Sequence, residues 1–235
     1  MPAYYPLMLD LRGRVAIVIG GNRVAAEKAA TLAASGALVR VLSPSYCSEM
    51  RQLAEQQQVT LEYKTYQPGD LADAFVVVAA TNDQQLIETI WTETQERGQL
   101  VNIVDVPKYC NFIVPSILRR DQLTIAVSTE GASPGLAKRI RHKLEEHFPP
   151  TYGTYIRLAS IVRTHLRTSG VSYERRDDFF GDFFDSAILV YVISGNVEQA
   201  IATTENILHR YDITLPAFDI AAELQEGKRY VNSNA

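Results

Sequence analysis

The chain has 235 residues, 46% of them hydrophobic and 21% charged, enough for one mid-sized domain or two small ones around a sizeable buried core. A formal net charge of −4 disfavours nucleic acid as the main partner, and the two cysteines, Cys47 and Cys110, in no metal-ligand spacing, argue against a disulfide scaffold and for a reducing compartment, by default the cytoplasm. No basic segment precedes an apolar stretch at the N-terminus, and the longest apolar run, residues 74–80, falls far short of the ~20 residues of a membrane span, so no membrane partner is expected.

Residues 15–19 are a continuous apolar run ending in Gly20-Gly21-Asn22, and residues 24–34 are alanine-rich with helical spacing, stopping at Gly36. This reads as a strand, a tight turn and a helix. Residues 37–42 form a second strand closed by Ser43-Pro44, and residues 59–66 alternate as a half-buried strand would. A further apolar strand covers residues 75–79, a helix covers 84–97 with Gly98 just past its end, and residues 100–104 are again a strand. Strands alternating with helices in this way predict an α/β fold, a Rossmann-type doubly wound parallel sheet. After Asp105 the pattern changes. Residues 123–127 predict a strand, and a loop rich in small polar residues then leads to Ser133-Pro134, a cap followed by proline at the first turn of a helix reaching about residue 147. Beyond Pro149-Pro150 the apolar spacing favours helices, with residues 230–235 as a loose tail.

The turn after the first strand is an imperfect G-x-G-x-x-G/A fingerprint. Gly20 takes the first position and Ala25 the last, with Asn22 in place of the middle glycine. Asparagine tolerates a left-handed backbone, yet its side chain occupies space that the cofactor approaches. Gly20, Gly21, Asn22, Arg23 and Val24 are the expected pyrophosphate contacts, against the alternative of a plain strand-to-helix turn. The acidic residue that usually binds the adenine ribose is missing after the second strand, which leaves Ser43 and Pro44 there. Arg40 lies inside the strand rather than at its end, so it is not read as a 2′-phosphate clamp, and NAD is expected over NADP. Thr81 follows the fourth strand and Asp105 the fifth. Ligands in such sheets bind beyond the carboxyl ends of the strands, so Gly20, Thr81 and Asp105 should converge. Asp105 is expected to be partly buried at this mouth; the alternative is that it only starts a turn before Pro107.

Six ordered motifs carry a family resemblance: Leu9-Asp10-Leu11-Arg12-Gly13-Arg14; the glycine turn with Val24-Ala25 and Lys28; Ala79-Ala80-Thr81-Asn82-Asp83; Val101-Asn102-Ile103-Val104-Asp105-x-Pro107; Phe112-Ile113-x-Pro115; and the stretch from Ile125-Ala126-Val127-Ser128-Thr129 through Ser133-Pro134-x-Leu136-Ala137 to Ile140-Arg141. The chain thereby resembles the precorrin-2 dehydrogenases, including the N-terminal part of siroheme synthases, closely over residues 4–150 and loosely beyond. The resemblance implies NAD-dependent oxidation of precorrin-2 to sirohydrochlorin, with Asp105 as the catalytic residue. It also implies a homodimer of three-part subunits: a Rossmann domain (1–113), a central dimerisation segment (114–149) and a helical C-terminal domain (150–235). A stand-alone enzyme rather than a fused, trifunctional one is expected. The alternatives are an enzyme that also inserts Fe2+ into sirohydrochlorin, a metal-insertion enzyme that has lost NAD binding, and a non-catalytic nucleotide-sensing module.

Such an oxidation needs a hydride acceptor, a general base and anchors for many carboxylates. For the anchors, Lys138, Arg139 and Arg141 lie with His142 and Lys143 on the helix opened by Ser133, with Arg119 and Arg120 upstream, and Ser128, Thr129 and Ser133 add hydroxyls. A solvated helix face or a dimer contact is the plainer reading of the same charges. His142, His147, His165 and His209 form no ligand motif, so no metal site is expected, and Cys110 reads as a small buried hydrophobe rather than a thiol at the site.

Overall fold

The computed structural model describes residues 4–232 and divides into two compact units, the first ending at Val114 and the second beginning at Pro115. In the first unit five strands, β1 (Val15–Ile19), β2 (Leu38–Ser43), β3 (Val59–Tyr63), β4 (Val76–Ala79) and β5 (Leu100–Ile103), form a parallel sheet in the order β3-β2-β1-β4-β5. The order reverses between β1 and β4, which is the switch point of a doubly wound sheet.

The strands are apolar almost throughout because both faces of a parallel sheet are covered. Alternation along β1 sorts its side chains between two cores. Ala16 and Val18 pack with Ala25, Ala26 and Ala29 of α1 (Arg23–Ala34), whereas Ile17 and Ile19 pack with Ile87 and Ile90 of α3 (Gln84–Glu96). The alanines let α1 lie close to the sheet. A further helix, α2 (Ser48–Glu55), is absent from the expectations because it is mostly polar and buries only Met50.

The second unit opens with an antiparallel hairpin, β6 (Ser116–Arg120) and β7 (Leu123–Val127), against which α4 (Pro134–His147) packs. Strand β6 is a correction to the sequence reading, which expected only β7. The hairpin loop holds Asp121 at φ 57°, a left-handed conformation that aspartate tolerates better than most residues. Helices α5 (Tyr152–Thr168), α6 (Tyr173–Asp185), α7 (Ile188–Ile193), α8 (Val197–Arg210) and α9 (Ala217–Asn232) follow, around a core that includes Leu158, Val162, Leu166, Phe179, Phe183, Ile188 and Leu208. The backbone of residues 230–232 belongs to α9 rather than to a loose tail, and residues 233–235 lie outside the described residues. No described helix is long and apolar enough to cross a membrane.

An ion pair between Arg157 of α5 and Asp121 ties the helices to the hairpin, and both side chains are nearly enclosed, at 14% and 10% exposure. Removing one partner of such a pair strands the other charge away from water. Asp121→Asn, which keeps a residue tolerant of the positive φ, is therefore expected to destabilise the protein by about 2 kcal/mol, read from its denaturant midpoint.

Candidate functional site

The glycine turn sits at the switch point. Gly20 has φ 125°, and a Cβ there would come 2.9 Å from the carbonyl oxygen of Ala80, beyond the end of β4. Gly21 has an even closer neighbour: a Cβ would lie 1.8 Å from the Ser45 carbonyl oxygen. The Cys47 N–H donates to the Gly21 carbonyl at 2.7 Å, so the loop after β2 backs directly onto the turn. The fingerprint treats Gly21 as a free position, whereas in this chain packing demands glycine there.

Asn22 differs from its expectation in a useful way. Its backbone is extended (φ −83°, ψ 176°), not left-handed, and its side-chain oxygen accepts the Ala25 N–H at 2.9 Å. Asn22 is thus the N-cap of α1, with its carboxamide turned onto the helix end. Among the described residues the N–H groups of Asn22, Arg23 and Val24 have no acceptor, and all three residues are exposed. Free N–H groups at a helix N-terminus beside a glycine whose Cβ is excluded are a cradle for a pyrophosphate, so the residues present fit NAD. As an N-cap, Asn22→Ala is expected to cost about 1 kcal/mol and Asn22→Gly only a few tenths, by thermal unfolding of both variants.

At the end of β2, Ser43 is buried and its hydroxyl donates to the Ser45 carbonyl at 2.7 Å, while Pro44 is exposed. Tyr46, unforeseen in the sequence, holds this loop: its hydroxyl lies 2.7 Å and 2.6 Å from the carbonyl oxygens of Val41 and Glu62 and accepts the Ser43 N–H. Arg40 is bound to Glu62 at 2.7 Å and to Asp73 at 2.8 Å. Its charge is already met by two carboxylates, which agrees with its exclusion as a 2′-phosphate clamp.

Register sets the rest of the rim. Ile19 pairs with Ala79, and Ala79 with Ile103, so β1, β4 and β5 end on one rung, and the ends of β1 and β5 lie about 10 Å apart at ordinary strand spacing. Gly20, Thr81 and Asp105 all follow from that rung. Thr81 is half-buried, and its hydroxyl oxygen accepts the Asp83 N–H at 3.2 Å. Asp83 in turn caps α3 through the N–H groups of Gln85 and Leu86.

Asp105 is exposed, which corrects the expectation of partial burial, and its φ of 61° places it in the left-handed region. A non-glycine residue held there by its surroundings is a recurrent feature of functional sites. Its surroundings do hold it. The Val104 N–H donates to the Ala79 carbonyl at 2.9 Å, and the Cys110 sulfur accepts the Ile103 N–H at 3.2 Å, with the Ile103 carbonyl oxygen 3.3 Å from the same sulfur. Asn111 brackets the same strand, accepting from the Val101 N–H and donating to the Gln99 carbonyl, each at 2.8 Å. Burial pushes the Cys110 thiol pKa up, consistent with a structural thiol. These supports escaped the sequence reading, where only their closeness to Asp105 in the chain hinted at them.

In the second unit the three candidate hydroxyls act first on their own loop. Ser128 accepts the Glu130 N–H at 3.0 Å, Thr129 accepts the Ser133 N–H at 3.0 Å, and Ser133 caps α4 by accepting the Leu136 N–H at 3.3 Å. Glu130 and Gly131, both at positive φ, complete the turn. The basic cluster divides in two. Lys138, Arg139, Lys143 and Arg119 are exposed with no ion pair among the described residues, whereas Arg141 is bound to Glu145 and Arg120 donates to the Phe148 carbonyl at 2.7 Å. His142 also reaches Glu145, at 3.1 Å.

Comparison with known proteins matches residues 7–116 to an NAD(P)-binding family and residues 120–147 to the family described as sirohaem biosynthesis protein central. The siroheme synthase of Photorhabdus laumondii is 35% identical over 210 residues, covering 89% of this chain and 45% of that protein. The siroheme synthase of Pseudomonas aeruginosa is 38% identical over 197 residues, covering 84% and 42% respectively. The chain thus spans less than half the length of these curated relatives. Among solved structures, SirC, a precorrin-2 dehydrogenase, superposes with a TM-score of 0.72 at 28% identity, covering 86% of this chain and all of that one. A doubly wound sheet bearing a glycine turn at its switch point and an NAD(P)-binding match followed in order by a sirohaem-biosynthesis match thus accompany homology to siroheme synthases over part of their length and the shared fold of a precorrin-2 dehydrogenase.

Proposed function

We propose that this protein oxidises precorrin-2 to sirohydrochlorin with NAD, and that Asp105 takes up the proton released. The observation that carries this reading is the carboxylate of Asp105, exposed and held at positive φ on the same sheet rim as the Gly20 turn. The oxidation removes a hydride and a proton from the macrocycle, giving sirohydrochlorin, NADH and H+. Bound NAD supplies the hydride acceptor. The N–H groups of Asn22, Arg23 and Val24 would hold its pyrophosphate, Gly20 and Gly21 leave room for it, and Ser43, Pro44 and Thr81 border the same crevice. Because Asp105 is exposed, its carboxylate can reach a proton released from a macrocycle at the crevice. Lys138 and Arg139, free of ion pairs, are the first candidates among the α4 charges for the substrate's carboxylates. Ser128, Thr129 and Ser133 still have hydroxyl protons to donate to carboxylates, and Arg141 would have to share its guanidinium with Glu145.

Within the chain we read residues 1–113 as the NAD-binding domain, 114–149 as a dimerisation segment and 150–235 as a helical domain, in a cytoplasmic homodimer. The support is the exposure of large apolar side chains in this segment, Val114, Leu136 and Ile140 at 47%, 50% and 37%. Light scattering on a sizing column tests the homodimer, and a monomer at micromolar concentration would count against it. The name of the curated relatives, siroheme synthase, favours a second activity, iron insertion at the same site, which is tested by adding Fe2+ once oxidation is complete.

A further inference from the structure

The helical unit holds a groove of about 740 Å³ that none of the residues discussed above as site candidates lines. Pockets for small organic ligands run from about 300 to 1,000 Å³, so this one suits a sizeable ligand. Helices α5 and α6 form its walls with stripes of identical spacing: α5 contributes positions 156, 159, 160, 163 and 167, and α6 contributes 173, 176, 177, 180 and 184. Each stripe is one helix face.

The two helices run in opposite senses along the groove. Tyr155, near the start of α5, stacks on Phe183, near the end of α6, with ring centroids 5.5 Å apart, while the short connection at residues 169–172 joins the other ends. The groove therefore has two chemically different ends. Phe180, Phe184 and Ile156 make one end apolar, and Phe184 is 54% exposed. Arg163, Arg167 and Arg176 gather at the other end with a single carboxylate, Asp177.

The other arginines of α5, α6 and α8 are paired: Arg157 with Asp121, Arg175 with Asp212 and Arg210 with Asp182. Arg163, Arg167 and Arg176 have no ion pair among the described residues, and the Arg176 guanidinium lies 6.0 Å from the Tyr173 ring centroid. Three guanidinium groups against one carboxylate leave a local positive excess in a protein of net charge −4. Guanidinium forks match carboxylates, and flat aromatic rings match a flat ligand face.

We propose that the α5–α6 groove binds a planar polycarboxylate macrocycle, with Arg163, Arg167 and Arg176 on its carboxylates and Phe180 and Phe184 against its ring. The identity of that macrocycle as a tetrapyrrole rests on the proposed function. The test uses the full chain and uroporphyrin, a stable planar polycarboxylate porphyrin, titrated by fluorescence. Two variants remove the same charge from the same unit: Arg163→Gln/Arg167→Gln in the groove, and Arg175→Gln/Arg210→Gln outside it. The groove variant is expected to bind uroporphyrin at least about tenfold more weakly with unchanged NAD affinity, and the outside variant to stay within about twofold of the parent. No uroporphyrin binding by the parent, or equal effects of the two variants, overturns the assignment. A parent that forms NADH from precorrin-2, with a groove variant retaining the parent's KM and uroporphyrin affinity, overturns the groove and leaves the proposed activity standing. A parent that binds uroporphyrin through the groove arginines but forms no NADH overturns the activity and leaves the groove.

Discussion

Asp105→Asn is expected to lower precorrin-2 turnover by about 100- to 10,000-fold, the usual contribution of a positioned general base, while NAD binds as before. Asparagine is the better replacement than alanine here. At φ 61° an alanine would add local backbone strain of roughly 1 kcal/mol, whereas asparagine tolerates the left-handed region and changes only the acid–base chemistry. The loss should fall on kcat rather than on KM, because Asp105 is assigned to proton uptake and not to holding carboxylates. Single-turnover rates with NAD and substrate in excess, together with NAD titration and a melting curve, separate the cases. A variant that melts like the parent, binds NAD and turns over at the parental rate would remove Asp105 from the mechanism.

The second large effect is on folding. Gly21→Ala would place a methyl carbon 1.8 Å from the Ser45 carbonyl oxygen and 2.7 Å from the Ser43 hydroxyl, and the nearest of these is backbone that cannot swing aside. Relief requires the loop after β2 to part from the glycine turn, which would break the 2.7 Å hydrogen bond from Cys47 to Gly21. We expect a loss of about 3 kcal/mol or more, and at roughly 2–4 °C per kcal/mol a fall in Tm of about 6–12 °C, with NAD affinity reduced in the protein that remains folded. A parental Tm would mean that the turn and the loop are not in contact.

The βαβ half of the fold was legible because its signals are local. The run VAIVI followed by two glycines and an alanine-rich helix encodes strand, turn and helix within twenty residues or so, and continuous apolar strands mark a sheet covered on both faces. Strand β6 was hidden because it ends in Arg119-Arg120 and pairs in a half-solvated hairpin, where apolar alternation is weak. Helix α2 was hidden because a helix that buries one residue has almost no apolar stripe. Asn22 looked like a defect in a fingerprint, and only its ψ of 176° and its bond to Ala25 reveal a helix cap. Asp105 could be placed at the rim from strand order, yet its exposure and its positive φ depend on Cys110 and Asn111 folding back along β5. The groove charges show the same limit: Arg163 and Arg176 become neighbours only when α5 and α6 turn back on each other.

The central claim is a redox reaction with a fixed stoichiometry, so the most direct test is an anaerobic incubation of the protein with precorrin-2 and NAD, following NADH and the tetrapyrrole spectrum together. The account predicts one NADH for each sirohydrochlorin formed, with formation slowed by Asp105→Asn. NAD binding without any NADH, or sirohydrochlorin appearing at the rate seen without protein, would contradict it.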